Sequence, residues 1–189
     1  MIEALVILTA MSAAGLAHTF WMRTALSRRF AVPLDGGRSF RGRRIFGDNK
    51  TLRGLMAILP AAGLAFALLG VARDAGVAWL APGLWEMPSA KLLCLGVWAG
   101  TCFMAGELPN SFYKRQRGIV PGEIPARGWE RAMCLLIDRL DSTLALLCGV
   151  SLVVGLHWQT WAAVLLLGPV VHFAFSALLC ALGVKARYA

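Results

Sequence analysis

Residues 142–184 read STLALLCGVSLVVGLHWQTWAAVLLLGPVVHFAFSALLCALGV, a stretch of 43 residues without Asp, Glu, Lys or Arg. About 20 apolar residues cross the hydrocarbon core of a bilayer as a helix, so this stretch is long enough for two crossings. Residues 155–159 (GLHWQ) form a polar break that contains a glycine, and its tryptophan suits the membrane interface. The stretch therefore predicts two membrane helices joined by a turn near Gly155.

The remainder of the chain is similarly apolar. Hydrophobic residues make up 58% of the 189 residues and charged residues only 15%, which excludes an ordinary soluble domain. Residues 142–156 alone would give only about 22 Å of helix, so the fourth span is expected to begin near Ala132. The sequence predicts a single all-α integral membrane domain with five transmembrane helices, at about 3–22, 54–72, 90–107, 132–156 and 159–184.

Basic residues set the expected orientation, because Lys and Arg close to membrane spans stay on the cytoplasmic side. Residues 23–53 carry nine of them and residues 107–131 carry five, whereas residues 73–91 carry two and residues 157–159 carry none. We therefore predict an outer N-terminus, a cytoplasmic C-terminus and two cytoplasmic loops, 23–53 and 108–131. The expected location is the cell inner (plasma) membrane, with the active site facing the cytoplasm.

The first polar island lies near the end of the first cytoplasmic loop, at residues 47–51 (GDNKT), and Arg53 follows it. We interpret Asp48 as a hydrogen-bond acceptor or metal ligand and Asn49 as a polar contact. Lys50 and Arg53 are interpreted as groups that neutralise phosphate charge. The alternative is a basic anchor on anionic headgroups, which the sequence favours for Arg23, Arg28 and Arg29 instead.

The second polar island, residues 106–115 (GELPNSFYKR), lies at the end of the third span. If the helix continues past Pro109, the spacing places Glu107, Asn110, Ser111 and Lys114 on one face. In the fourth span, Asp138 and Asp141 are three positions apart, so their carboxylates share a face and can converge on one ion. Carboxylates at membrane depth are costly without a function. The three histidines, His18, His157 and His172, are interpreted as structural.

These motifs resemble those of a known family. The run 111–115 (SFYKR) followed by 138–141 (DRLD) resembles the CDP-diacylglycerol synthases. The runs 42–54 (GRRIFGDNKTLRG) and 106–115 (GELPNSFYKR), with Pro121-Gly122, are similar to the CDP-archaeol synthase family over essentially the whole chain. Residues 121–123 (PGE) and 127–129 (RGW) stand where the larger bacterial synthases have Lys-Asp and His-Gly-Gly elements.

The resemblance implies an enzyme that transfers CMP from CTP to a phosphorylated membrane lipid, either phosphatidate-like or an archaeal ether-lipid phosphate. Pyrophosphate would leave, and Mg²⁺ would be the cofactor. Asp138 and Asp141 would bind the metal and act with Lys114 in catalysis. The residues expected to bind CTP or phosphate are Asp48, Asn49, Lys50, Thr51, Arg53, Glu107, Asn110, Ser111 and Arg115.

The expected partners are CTP, the lipid substrate and the bilayer, without nucleic acid. The sequence is compatible with either a monomer or a homodimer, because the small residues Ala57, Ala61 and Ala65 permit close helix packing within or between chains. Two alternative functions also stay open. One is a CTP-using lipid kinase of the polyprenol type, and the other is a small ion-coupled transporter whose ion binds Asp138 and Asp141.

Overall fold

The computed structural model describes residues 1–78, 80, 84–121, 123 and 128–183. Most of this part of the chain is helical, and the long loop at residues 29–51 contains one small antiparallel ribbon. The elements, in chain order, are α1 (Ile2–Arg23), α2 (Ala25–Arg28), β1 (Ser39–Phe40), β2 (Arg43–Arg44), α3 (Leu52–Asp74), α4 (Ser89–Gln116), α5 (Trp129–Ser151) and α6 (Trp158–Ala181). The predicted all-α fold class is confirmed.

Four helices, α1, α3, α4 and α6, are long and apolar enough to cross a membrane. This finding agrees with a multi-pass membrane protein. Helix α5 is as long as α3, at 23 residues, but it carries Asp138, Arg139 and Asp141 in its middle. It packs between α4 and α6.

Several helix ends differ from the predicted spans. Helix α4 continues through Pro109 to Gln116, so the second polar island is helical. Helix α5 begins at Trp129 and ends at Ser151, whereas the span was expected at 132–156. With 23 residues it is about 34 Å long, which already matches the hydrocarbon thickness without residues 152–156. Of the motif residues named above, Gly122 and Arg127 lie outside the described residues, as does the chain after 183.

The five long helices form a closed ring. Helix α3 packs on α1 and α4, α5 packs on α4 and α6, and α6 returns to α1. The α3–α4 contact is close at Gly96, where an added Cβ would collide with the carbonyl oxygen of Ala62. Helices α1 and α6 run in the same direction, because Thr160 donates to the carboxylate of Glu3 near both N-terminal ends (2.6 Å) and Gly15 meets Phe175 further along.

The loop between α2 and α3 folds around Asp35, whose side chain is fully buried. The carboxylate of Asp35 accepts hydrogen bonds from the backbone N–H groups of Gly37, Phe46 and Gly47, each at 3.0 Å, and pairs with the Arg44 guanidinium at 2.6 Å. The hydrogen bond from Arg44, together with those from the backbone, holds the pKa of Asp35 well below its ordinary value. Asp35 thus fixes the backbone just before the first polar island.

Candidate active site

The two aspartates of α5 converge on one amide group of α4. The Asn110 amide nitrogen lies 2.5 Å from Oδ1 of Asp138 and 2.9 Å from Oδ2 of Asp141. The spacing of three residues places both carboxylates on the face of α5 that packs against α4. Asn110 therefore fixes how the two acidic groups are oriented towards each other.

Lys114 lies one turn beyond Asn110 on α4. Its ammonium nitrogen is 2.5 Å from both carboxylate oxygens of Asp138, and the residue is only 8% exposed. A lysine this buried requires a counter-charge, which Asp138 provides. The Lys114 ammonium thus lies directly beside the two carboxylates. A site that binds a phosphate chain together with a metal ion requires such a positive charge.

Asp141 is connected to α4 a second time, through Ser142. The Ser142 backbone N–H donates to Oδ1 of Asp141 at 2.6 Å, and its hydroxyl lies 3.1 Å from the same oxygen and 3.3 Å from Oε1 of Glu107. Ser142 is fully buried. Ser142 was not among the site residues predicted from the sequence. The signal that could have indicated it is its position, as a small polar residue directly after the functional carboxylate Asp141.

Glu107 also links the site to the first polar island. Its carboxylate forms an ion pair with the ammonium group of Lys50, and both side chains are about four-fifths buried. Hydrogen-bonded contacts therefore run from Lys50 through Glu107 and Ser142 to Asp141. Lys50 was expected to neutralise phosphate; in the structure its charge is paired with Glu107.

Arg53 was also expected to neutralise phosphate, but the structure places its guanidinium in contacts between helices. It donates to the Met22 carbonyl at the end of α1 and to the buried Ser27 hydroxyl (2.9 Å). Trp21 in turn donates to the Arg53 carbonyl at 3.1 Å. Arg53 therefore ties the end of α1 and α2 to the start of α3.

The other expected binding residues differ in how firmly they are held. Asp48 is largely exposed and pairs with Arg44 at 2.8 Å. Ser111 is buried, and Thr51 precedes the first turn of α3. Arg115 donates to the Ile119 carbonyl through one terminal nitrogen, while its buried Nε has no hydrogen-bond partner among the residues that the structure describes.

A cavity of about 840 Å³ lies inside the helix ring and brings these groups together. All twelve residues expected to act in catalysis or binding line it. Those residues are Asp48, Asn49, Lys50, Thr51, Arg53, Glu107, Asn110, Ser111, Lys114, Arg115, Asp138 and Asp141. His18 of α1 and His172 of α6 also line the cavity, whereas His157 contacts Glu3 at the opposite end of α1. The polar site thus draws residues from both predicted islands and from α5.

The donor set fits one hard divalent cation bound together with a substrate. In the described part of the chain, no cluster of three or more His, Cys, Asp or Glu side chains could hold a metal ion. Mg²⁺ in nucleotide sites commonly takes one or two protein carboxylates and completes its coordination with phosphate oxygens and water. Asp138 and Asp141, which meet at one amide nitrogen, match that requirement.

Comparison with known proteins identifies the family. A family model described as CarS-like, CDP-archaeol synthase, matches residues 24–188. The CDP-archaeol synthase of Halobacterium salinarum is 35% identical over 162 residues, which cover 81% of this chain and 81% of that protein. Those of Halorubrum lacusprofundi and Methanospirillum hungatei are 32% and 30% identical, over 81% and 82% of this chain and 81% and 87% of the relatives.

No solved structure matches the chain significantly. The family match covers 165 of the 189 residues, from 24 to 188, and so includes both polar islands and the aspartate pair. It confirms the resemblance inferred from the sequence motifs. The chain belongs to the CDP-archaeol synthase family and is therefore an enzyme of the nucleotidyltransferase class.

Proposed function

We propose that this enzyme transfers CMP from CTP to the phosphate of an archaeal ether lipid, giving a CDP-activated lipid and pyrophosphate. One observation carries the proposal. A cavity inside a ring of apolar helices is lined in one part by carboxylates, amides and several cations, among them Asp138, Asp141, Asn110 and Lys114, and in another part by apolar side chains. A phosphorylated lipid and a nucleotide are substrates that need such a combination of surfaces.

All five long helices cross the membrane in this proposal, with α5 as the fourth span. Of its five charged residues, Glu130 and Arg131 lie in its first turn, and Asp138, Arg139 and Asp141 line the cavity. Its length of about 34 Å suffices for a bilayer. The basic loops that flank the polar mouth support a position on the cytoplasmic side of the cell membrane, because Lys and Arg close to membrane spans stay on that side. CTP then enters from the cytosol, and the lipid enters from the bilayer.

The reaction requires the protein mainly to position the two substrates and to neutralise their negative charge. An oxygen of the lipid phosphate attacks the α-phosphorus of CTP, a new P–O bond forms, and the bond to the β-phosphate bridging oxygen breaks. The lipid phosphate is already anionic at neutral pH, so no protein base has to remove a proton. Bound Mg²⁺ would supply charge neutralisation on the triphosphate, with Asp138 and Asp141 as its protein ligands.

The chain's own residues then have separate tasks. Asn110 keeps both aspartates oriented, and Ser142 holds one oxygen of Asp141. With Asp138 as a metal ligand, the Lys114 ammonium beside it would be available to a phosphate oxygen. The Nε of Arg115, which has no hydrogen-bond partner among the described residues, supplies a second donor on the same helix. Lys50 acts through Glu107, and so positions the first island.

The two alternative functions have less support. A lipid kinase would share the site but transfer the γ-phosphoryl group, and the family match favours CMP transfer. An ion-coupled transporter would be expected to bind its ion near the middle of the membrane. In the structure Asp138 contacts Lys114 in the last turn of α4, and Asp141 is connected through Ser142 and Glu107 to the loop residue Lys50, so the site adjoins the basic loops.

The test is product identification with the purified protein in lipid nanodiscs, given CTP and Mg²⁺. Ether-linked and ester-linked lipid phosphates are supplied separately, along with the matching unphosphorylated lipid alcohol. We expect pyrophosphate and a CDP-lipid, with faster turnover of the ether lipid. CDP and a newly phosphorylated lipid alcohol would assign a kinase instead, and faster turnover of the ester lipid would overturn the proposed substrate class.

A further inference from the structure

The hairpin formed by β1 and β2 carries positive charge that no acidic side chain balances. Arg38, Arg41 and Arg43 lie close together in the chain, and all three are exposed. None of them pairs with a carboxylate among the residues that the structure describes. Arg43 donates instead to the carbonyl of Gln116 at the end of α4. The surface around this hairpin is therefore strongly basic.

Arg41 occupies the tip of the hairpin in a backbone conformation that arginine rarely adopts. Its φ is 52° and that of Gly42 is 76°, so both central residues of the two-residue turn have positive φ, as in a type I′ turn. Asn or Gly is the usual first residue of such a turn, because a larger side chain is strained there. The hairpin thus places a guanidinium group at a tip where the backbone alone would favour a smaller residue.

Aromatic rings lie beside these arginines. The ring centroids of Phe40 and Phe112 of α4 are 5.8 Å apart, and the Arg41 guanidinium carbon is 5.3 Å from the centroid of the Phe40 ring. Phe40 is 47% exposed, and Tyr113, the next residue on α4, is 54% exposed. We call this surface the basic-aromatic corner, and we define it by Arg38, Phe40, Arg41, Arg43, Phe112 and Tyr113.

The basic-aromatic corner is separate from the catalytic cavity. Its six residues all lie in the described part of the chain, and none of them lines the cavity. Their neighbours on α4 differ in this respect, because Ser111 and Lys114 are buried and line the cavity. The corner is therefore available to a ligand that does not enter the catalytic site.

Helix α4 brings the corner to the level of the lipid headgroups. With 28 residues α4 is about 42 Å long, which exceeds the hydrocarbon thickness of about 30 Å. Lys91 lies in the first turn of α4, and about 20 residues counted from Leu92 cross the hydrocarbon and end near Ser111. Phe112 and Tyr113 follow directly, at the membrane interface where aromatic side chains concentrate.

We propose that the basic-aromatic corner binds the anionic phosphodiester headgroups of membrane lipids other than the substrate. This proposal rests on the proposed function only for the placement of α4 in the membrane. Headgroup phosphates complement the guanidinium groups in charge and in hydrogen bonding, and the exposed rings suit the interface beside them. A soluble acidic partner would match the charge but would not account for aromatic rings at this depth.

Binding at the corner also restrains the loop that carries the first polar island. Arg44 of β2 pairs with the carboxylate of Asp35, and Asp35 accepts a hydrogen bond from the backbone N–H of Gly47, where the island begins. The hairpin is thus connected to the island by fixed contacts. A headgroup that holds the hairpin therefore reduces the motion of residues 36–47.

Photolabelling tests the proposal without turnover. The wild-type protein is placed in phosphatidylcholine nanodiscs that contain phosphatidylglycerol with a photoreactive diazirine in its headgroup. Phosphatidylcholine with the same diazirine is the neutral counterpart. We expect label within residues 38–43 and at residues 112–113, at least about fivefold more from the anionic lipid than from the neutral one. High salt should reduce this difference, because it screens exposed charges.

The variant R41N removes the charge at the tip and preserves the turn. Asn adopts positive φ readily, and Asn-Gly is a favoured pair in type I′ turns, so a folding defect of the hairpin is not expected. R41N should lower the label from the anionic lipid by about fivefold. The control K91Q removes one exposed positive charge from the other end of α4 and should leave the label unchanged. Equal labelling of R41N and wild type would overturn the proposal, as would equal labelling by the two lipids.

A soluble probe distinguishes a headgroup in the bilayer from a free phosphate. Glycerol phosphate with the same diazirine is added in water to nanodiscs of unlabelled phosphatidylcholine. Label at the corner as strong as that from the lipid probe would overturn the assignment to membrane lipids. Absence of label from both probes would also overturn it and would favour a soluble acidic partner.

Hydrogen exchange measures the restraint on the loop. Backbone amides of residues 36–47 should exchange more slowly in nanodiscs that contain phosphatidylglycerol than in pure phosphatidylcholine, and R41N should lose this protection. Unchanged exchange in the wild type would contradict the restraint. Phosphatidylglycerol is a phosphodiester and so is not a substrate for CMP transfer. Label at the corner of a protein that forms no CDP-lipid would therefore contradict the proposed reaction alone.

Discussion

The ammonium group of Lys50 contacts the carboxylate of Glu107, although 57 positions of the chain separate them. This ion pair joins the loop before α3 to the middle of the site. Because Glu107 also contacts Ser142, which holds Asp141, the first polar island and the aspartate pair belong to one network. Lys50 and Glu107 should therefore behave as a coupled pair.

Removing either charge of this pair should be costly. K50M and E107Q each leave one partly buried charge without its partner, so each should lower the free energy of unfolding by about 1–3 kcal/mol. The double variant should lose less than the sum of the two. Thermal unfolding in detergent and kcat/KM for CTP measure both effects. Strictly additive losses would show that Lys50 and Glu107 act independently.

Asn110 should control metal affinity. N110A leaves Asp138 and Asp141 in place but removes the amide that contacts both. Removal of a group that orients metal ligands typically lowers metal affinity or activity by about 10–100-fold. We expect the Mg²⁺ concentration for half-maximal activity to rise by that order in N110A. The exposed Leu144 of α5 supplies the control variant L144A. An unchanged Mg²⁺ dependence in N110A would contradict the assignment.

Ser142 and Ser151 offer a matched pair on α5. The Ser142 hydroxyl contacts Asp141 and Glu107, whereas the Ser151 hydroxyl is buried with no partner within the described ranges. S142A should reduce kcat by about tenfold through misplacement of Asp141, and S151A should leave kcat unchanged. Both variants remove one hydroxyl from the same helix. Similar kcat values for S142A and S151A would contradict the assignment of Ser142 to the site.

Asp35 should make the first loop sensitive to acid. Its pKa in the folded protein lies below the unfolded value of about 3.9, so its stabilising contribution is complete above that value and is lost as pH falls through the folded pKa. The loop from α2 to α3 should therefore become progressively more accessible to an acid-active protease as the pH falls below about 4.

D35N should weaken the same loop at neutral pH, by about 1–3 kcal/mol, and remove that acid dependence. The exposed Asp74 at the end of α3 gives the control D74N, which should behave as wild type. Limited proteolysis across pH measures both variants. A wild-type loop that stays protected at low pH, or a D35N loop as stable as wild type, would contradict the role of Asp35.

Much of the fold follows from local sequence properties. The length of residues 142–184 indicates two helices, and the three-residue spacing of Asp138 and Asp141 places both carboxylates on one face. The all-α fold and the resemblance to the CDP-archaeol synthase family are confirmed, and all twelve expected site residues line one cavity.

Features that depend on contacts between residues distant in the chain could not be predicted from the sequence. Contacts between segments far apart in sequence form the Lys50–Glu107 pair, the Arg53 link between helices and the packing of α1 against α6. Ser142 was missed because its importance lies in what it touches, not in its position along α5. Helix periodicity specifies which face a residue occupies but not which helix that face meets.

CTP labelled on its α-phosphorus provides the decisive measurement. Wild-type protein and D141N, each purified in nanodiscs with Mg²⁺ and an ether-lipid phosphate, are followed for label in the lipid fraction. We expect label to enter the lipid with wild type, with one pyrophosphate released per labelled lipid, and the rate to fall by at least about 100-fold in D141N. Absence of label from the lipid with wild type, or an undiminished rate in D141N, would contradict CMP transfer at this site.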